Sequence, residues 1–314
     1  MRILVTGGAG FIGSHVVDRY VALGHEVAVV DNLAAGRKEN LNPAARFYPI
    51  DIRDRAALEA VCARERPHVV NHHAAQADLR RATDDPVHDA LVNVVGAVNV
   101  LECAARSGVG RVIYSSSGGA VYGRPDVLPV SEDQPPRPVC AYGASKLAVE
   151  HYLDAYHNAH GMESVVLRYP NVYGPRQRGD TEAGVVAVFL ARMLADRPCV
   201  IRGDGEQARD FLHVADCAAA NVLALEAGPG VYNLGWGELV TVNQVFHSLA
   251  RVTGYARPPQ HAPPRTEETY RIALDASLAR RRLGWAPGVR WPDGLTSLLP
   301  AARQGGADPG RDAR

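Results

Sequence analysis

Three glycines, Gly7, Gly10 and Gly13, stand between an apolar run and a helical pattern, and that order constrains the fold more than any other feature. Arg2-Ile3-Leu4-Val5-Thr6 reads as a buried strand. Ser14 to Leu23 continues with helical periodicity, and Gly24 closes it. A strand, a glycine turn and a helix in that order predict a dinucleotide-binding unit. Glycines permit a tight turn and a close backbone approach, and the helix N-terminus offers free N–H groups to a pyrophosphate. A second strand, Glu26 to Asp31, ends in a carboxylate, where an acid can hold the adenosine ribose hydroxyls. The same carboxylate repels a 2′-phosphate, so NAD is expected rather than NADP.

Up to about residue 166 strands and helices alternate, which predicts an α/β fold with a doubly wound parallel sheet. Expected strands are Arg46–Ile50, His68–Asn71, Arg111–Tyr114 and Ser164–Arg168. Expected helices are Arg55–Glu65, Pro86–Ser107 and Tyr142–His160, the last stopped by Gly161. After Arg168 the segments shorten, Pro and Gly punctuate more often, and arginines enter loops. The expected division is a cofactor-binding domain over 1–168 with a return segment over 211–234. A smaller α/β substrate-binding domain covers 169–210 and 235–303, and a flexible tail covers 304–314.

A chain of 314 residues with 46% hydrophobic and 22% charged content is expected to fold as a globular protein. Formal net charge is zero, which gives no electrostatic case for nucleic acid or an anionic membrane surface. An anionic ligand must then be gripped by local arginines. The five cysteines (Cys62, Cys103, Cys140, Cys199, Cys217) are scattered without metal-type spacing, which fits reduced thiols in the cytoplasm. The chain enters a strand within two residues, so no signal peptide is expected. No apolar run is read as approaching the ~20 residues that span a bilayer. His72 and His73 are adjacent on a strand and face opposite ways, so a chelating pair is not expected.

Tyr142-Gly-Ala-Ser-Lys146 carries the chemistry. Positions i and i+4 share a helical face, so a phenol and an ammonium can meet over one substrate. A free tyrosine titrates near ~10, and a neighbouring cation favours its phenolate. Lys38 and Lys146 are the only lysines in an arginine-rich chain, so Lys146 answers a need for a compact, tunable cation. Ser115-Ser116-Ser117 follows a candidate strand and should sit at the carboxyl edge of the sheet, where open α/β sheets bind ligands. Asn171 follows another strand end and can donate to a phosphate or sugar oxygen.

Thr6-Gly-Gly-Ala-Gly-Phe-Ile-Gly13, Asp31-Asn-Leu33, His73-Ala-Ala-Gln76, Ser115-Ser-Ser117, Tyr142-Gly-Ala-Ser-Lys146 and Asn171-Val-Tyr-Gly-Pro175 together resemble the extended short-chain dehydrogenase/reductases. Within them the likeness is to bacterial nucleotide-sugar epimerases of the UDP-glucose 4-epimerase type, and it runs from residue 1 to about 300. The resemblance implies a Rossmann-type fold, bound NAD, a UDP-sugar substrate and a homodimer built through two helices per subunit. It makes Tyr142 the base and acid, Lys146 the group that holds the nicotinamide ribose and lowers the tyrosine pKa, and Ser117 the hydroxyl partner, with Ser116 as the alternative. Gly7, Gly10, Phe11, Ile12 and Gly13 would cradle the pyrophosphate, while Asp31 and Asn32 take the adenosine ribose. Asp51 and Ile52 would flank the adenine, and Ala74, Ala75 and Asn93 would line the cofactor cleft. Asn171, Arg178, Arg209, Arg265 and Glu268 would bind the UDP-sugar, the arginines gripping the diphosphate.

Relatives that dehydrate or decarboxylate sugars carry carboxylates after the serines. Gly118 and Gly119 stand there instead, so the resemblance implies simple oxidation and reduction at one carbon, and hence epimerisation at C4. Asn171 favours UDP-glucose/UDP-galactose, whereas Arg178 fits UDP-glucuronate. A net dehydrogenase or reductase and a non-catalytic NAD-binding protein are the remaining readings.

Overall fold

The computed structural model describes residues 1–179, 184–264 and 269–299. The first half alternates β1 (Arg2–Thr6), α1 (Phe11–Ala22), β2 (Glu26–Val30), β3 (Arg46–Tyr48), α2 (Arg55–Glu65) and β4 (Val69–His72). Next come α3 (Leu79–Asp84), α4 (Pro86–Ala90), a π-turn at Leu91–Val95, and α5 (Gly96–Arg106). Then follow β5 (Arg111–Ser117), the short α6 (Gly118–Val121), α7 (Ala141–His160) and β6 (Glu163–Tyr169). The second half has β7 (Asn171–Tyr173), α8 (Val185–Leu194), β8 (Val200–Arg202), β9 (Ala208–Arg209) and β10 (Phe211–His213). It closes with α9 (Val214–Ala224), β11 (Gly230–Asn233), β12 (Val240–Thr241), α10 (Val242–Thr253), β13 (Gln260–Ala262), β14 (Arg271–Ile272) and α11 (Ser277–Leu283).

Seven parallel strands form the central sheet in the order β11-β6-β5-β4-β1-β2-β3. Its strands are rich in Val and Ile because both faces are covered. Alternation divides each strand between the two layers: Ile3, Val5, Val27 and Val29 pack with Val16, Val17 and Tyr20 of α1 and Cys217 and Ala220 of α9. Leu4, Ala28, Val30, Val70 and Val112 pack on the other face against Leu58, Val100, Leu101, Val149 and Leu153. A separate apolar cluster joins Phe189 and Leu190 of α8 to Val245, Phe246 and Leu249 of α10, with Phe211 beside them.

The expected strands and helices of the first half are present, and the sheet's seventh strand comes from residues 230–233, inside the segment 211–234 read as returning to it, after a helix that packs on α1. The expected single helix over Pro86–Ser107 is interrupted by the π-turn, which turns Asn93 inward. That run also corrects the hydropathy reading: Pro86–Arg106 is long and apolar enough to cross a membrane by length and composition alone. Here it packs on the sheet, with Ala97, Val100, Leu101 and Ala104 in the core. Helices α8 and α10 had no sequence assignment. The first is apolar nearly all round and gives no clear stripe, while Thr241 and Gln244 form a capping box that marks the start of the second.

Polar anchors fix the joints. Arg168 of β6 makes a two-pronged ion pair with Glu150 of α7, each side chain only 6% exposed. Arg168 also donates to the Tyr122 hydroxyl at 2.6 Å, and Tyr122 donates to Asn233 of β11 at 2.9 Å. Asp210 accepts backbone N–H bonds from Trp236, Gly237 and Leu274, tying the second half's strands to the loop after β11; burial pushes its carboxyl up to about 6. Arg168→Met leaves Glu150 buried without its cation, so stability falls by about 3 kcal/mol, read as a lowered urea midpoint at unchanged slope.

Candidate active site

Strand order reverses on either side of β1 and β4, and the crevice of an open α/β sheet lies at that switch. Gly7 sits at the end of β1 with φ +70°, and a Cβ there would lie 2.5 Å from the Ala74 amide nitrogen. A Cβ at Gly13 would collide with the Gly7 carbonyl oxygen. The turn is closed by Gly10 N to Gly7 O and Ser14 N to Gly10 O, both 3.1 Å. No side chain caps the N-terminus of α1, where Phe11 and Ile12 make the first turn and the first N–H groups have no intrahelical partner. A bare, uncapped N-terminus behind close-packed glycines fits a dinucleotide pyrophosphate.

Asp31 is buried and spends one oxygen on the Ala9 N–H (3.0 Å) and the other on the Leu33 N–H (2.8 Å). It therefore locks the glycine turn to the end of β2, and burial pushes its carboxyl upward. Asn32 donates to Asp51 at 2.9 Å, and the Arg53 guanidinium holds the Asp51 carboxyl well below the usual range. Ile52 is buried against the glycine face of α5. Ala74 and Ala75 follow β4, with the Ala74 N–H 3.3 Å from the Thr6 hydroxyl. Asn93, expected to line the cofactor cleft, is buried; it donates to the Gln76 carbonyl and accepts from the Gln76 N–H, and so shapes the loop after β4.

Tyr142 and Lys146 occupy the first two turns of α7. Cys140 caps that helix, accepting from the Gly143 N–H at 3.4 Å. The Lys146 ammonium lies 5.7 Å from the Tyr142 ring centre and 5.0 Å from that of Tyr114, and donates to the Ser115 carbonyl at 2.9 Å. Only 3% of Lys146 is exposed, and burial pushes its pKa down to about 8, opposed by Asp89 and Glu150. Ser116 and Ser117 separate cleanly. The Ser116 hydroxyl turns inward to Glu150, whereas Ser117, at the last position of β5, lines the cleft beside Tyr142.

That cleft, about 2270 Å³, is also lined by Asn171, Arg178 and Arg209. Arg209 donates to the Ala208 and Tyr270 carbonyls, which fixes its stem on β9. Arg265 and Glu268 lie outside the described residues. Gly118 is packed against the Leu274 side chain, which would have to shift to admit a Cβ. Gly119 is open: a Cβ there would stand 3.6 Å from the Asn171 side-chain oxygen and 3.9 Å from the Ser117 hydroxyl. His72 bonds Thr6 at 2.6 Å and stacks on Tyr114, and burial pushes both His72 and His73 down to about 3. Among the described residues no group of three His, Cys, Asp or Glu is placed to hold a metal. Gln76, Asp89 and Glu150 were not among the residues expected at the site. Glu150 was legible as the next member of the i, i+4 stripe after Tyr142 and Lys146, but Asp89 carries no local signal.

The model of the NAD dependent epimerase/dehydratase family matches residues 3–235. The UDP-glucose 4-epimerase of Mycolicibacterium smegmatis is 43% identical over 306 residues, covering 95% of this chain and 97% of that protein. The solved UDP-glucose 4-epimerase of Thermotoga maritima, with UDP-glucose, superposes with a TM-score of 0.95 at 44% identity, covering 97% of this chain and 99% of the other. The Thermus thermophilus UDP-glucose 4-epimerase, in complex with NAD, gives a TM-score of 0.92 at 42% identity over 96% and 99% of the two chains. The chain belongs to the NAD dependent epimerase/dehydratase family.

Burial of Lys146 has a thermodynamic consequence. Its folded pKa of about 8 lies below the ordinary 10.5, so between those values the unfolded chain binds the extra proton and stability rises with pH. The slope of unfolding free energy against pH between 8 and 10.5 is therefore expected to be more positive in the wild type than in Lys146→Met.

Proposed function

We propose that this protein is an NAD-dependent UDP-sugar 4-epimerase that interconverts UDP-glucose and UDP-galactose. The observation that carries the reading is the grouping of Ser117, Tyr142 and Asn171 on one cleft, with the Lys146 ammonium behind Tyr142 and no carboxylate at Gly118 or Gly119. Gly7, Gly10, Phe11, Ile12 and Gly13 would hold the pyrophosphate of NAD, Asp31 and Asn32 its ribose, and Asp51, Ile52, Ala74 and Ala75 the flanks of the adenine and the cleft. When bound, NAD supplies a two-electron acceptor that takes a hydride from C4 and later returns it.

The chain's own work is proton transfer and orientation. Tyr142, favoured as phenolate by the Lys146 charge, takes the proton of the 4-hydroxyl, and Ser117 donates to the same oxygen. The 4-keto sugar turns about its diphosphate link and presents its opposite face. Tyr142 then gives the proton back to the new 4-hydroxyl oxygen, so nothing is consumed. Arg209 and Arg265 hold the diphosphate, Glu268 the uridine ribose, and Asn171 a sugar or phosphate oxygen. Binding energy concentrated on the UDP leaves the sugar free to rotate. Arg178, which lines the same cleft, supports UDP-glucuronate as the second reading.

In this reading residues 1–168 with 211–234 bind the cofactor, and 169–210 with 235–303 bind the UDP-sugar. All five cysteines are free thiols, which suits the cytoplasm. Val87, Leu91 and Val95 are exposed at helical spacing along α4 and the π-turn, and Tyr152 is exposed on the neighbouring α7. We read this two-helix face as the homodimer interface.

Purified protein given UDP-glucose without added NAD is expected to produce UDP-galactose, followed by anomeric-proton NMR. Tyr142→Phe lowers kcat by roughly 10²–10⁴-fold with UDP affinity kept. Conversion of UDP-glucuronate alone moves the assignment to the second reading, and silence with both sugars after NAD is supplied overturns the epimerase reading. Leu91→Glu with Val95→Arg should shift the sedimentation coefficient from dimer to monomer; a wild type that already sediments as a monomer removes the interface.

A further inference from the structure

Lys146 is an ammonium inside the protein, and an isolated buried charge is too costly to persist without compensation. The charged groups around it form a closed set. On α7, one turn further along, Glu150 is already engaged by both prongs of the Arg168 guanidinium from β6. From β5 the Tyr114 ring faces the ammonium, Tyr142 flanks it on its own helix, and neutral His72 of β4 stacks behind Tyr114. His73 of the same edge is also neutral. Two cations and two acids remain, and with Arg168 taking Glu150, one acid is left for Lys146.

That acid is Asp89 of α4, 0% exposed. One of its oxygens accepts from Asn93 at 2.9 Å and from Gln76 at 3.2 Å; the other accepts from the Ser145 hydroxyl, next to Lys146 in sequence. Its Ser145 bond places the carboxylate beside the residue that precedes Lys146, and of the two acids it is the stronger influence in favour of the charged lysine. We propose that Asp89 is the buried counter-charge of Lys146, a positioning residue that keeps the ammonium charged beneath Tyr142 and clamps α7 to the loop after β4. The proposal deepens the epimerase reading and rests on it only for its kinetic consequence.

The chain contains two lysines, so protein labelled with 13Cε-lysine gives two resonances, assigned with Lys38→Arg. Asp89→Asn keeps the shape: its amide oxygen still accepts from Asn93 and Gln76, its amide nitrogen meets Ser145, and only the charge is lost. The pH midpoint of the Lys146 resonance is expected to fall by about one unit or more in Asp89→Asn. Asp89→Ser, smaller and with room for a water, should move it the same way. Asp89→Glu should restore it towards wild type, and Ser145→Ala, which breaks the hydrogen bond but keeps the charge, should leave it in place. The alkaline limb of the kcat profile should move to lower pH in parallel. Equal midpoints in the wild type and both neutral variants would overturn the proposal. A wild type inactive on UDP-glucose would sink the functional reading, while the resonance shift would still decide the role of Asp89.

Discussion

The ammonium of Lys146, enclosed on every side, is the group around which the active half of the molecule is arranged. A buried charge demands a shaped surrounding, and its neighbours come from β5, α4 and α7 itself. Ser115 of β5 gives a carbonyl and Tyr114 an aromatic face, Asp89 of α4 bonds the adjoining Ser145, and Glu150 of α7 stands one turn on with Arg168 of β6 behind it. These contacts fix where α7 lies on the sheet, and so where Tyr142 stands. Stability is spent on that placement.

The glycine turn poses the opposite problem, since it works by leaving groups unused. Gly7 and Gly13 are packed so closely that no side chain fits, and α1 begins without a cap. The N–H groups left over are what an anion would find. Asp31 secures the turn through Ala9, so the acid read as a ribose ligand has a structural duty as well. Asn93 differs: the π-turn aims it inward and its amide is spent on Gln76. The geometry makes it a brace for the loop that carries Ala74 and Ala75.

The serine pair illustrates the division between pattern and placement. In sequence Ser116 and Ser117 are equivalent neighbours after an apolar run. Pleating sends them to opposite faces, so Glu150 takes Ser116 and the cleft receives Ser117. Gly118 and Gly119 look alike too, yet Leu274 fills the space beside one while the other opens towards Asn171.

Legible in the sequence were features set by local physics: the glycine spacing, the acid ending β2, the i, i+4 phenol and ammonium, and the alternation of strands and helices. These depend on backbone sterics and on periodicities of two and 3.6 residues, which a chain carries without knowing its fold. Contacts across long separations were decided by the tertiary structure alone. Asp89 meets Ser145 across 56 residues, and Tyr122 meets Asn233 across 111. Strand β11 pairs with β6, and α9 packs on α1. No local pattern encodes such pairings, because the burial that makes them necessary exists only once the sheet and its two helical layers have closed.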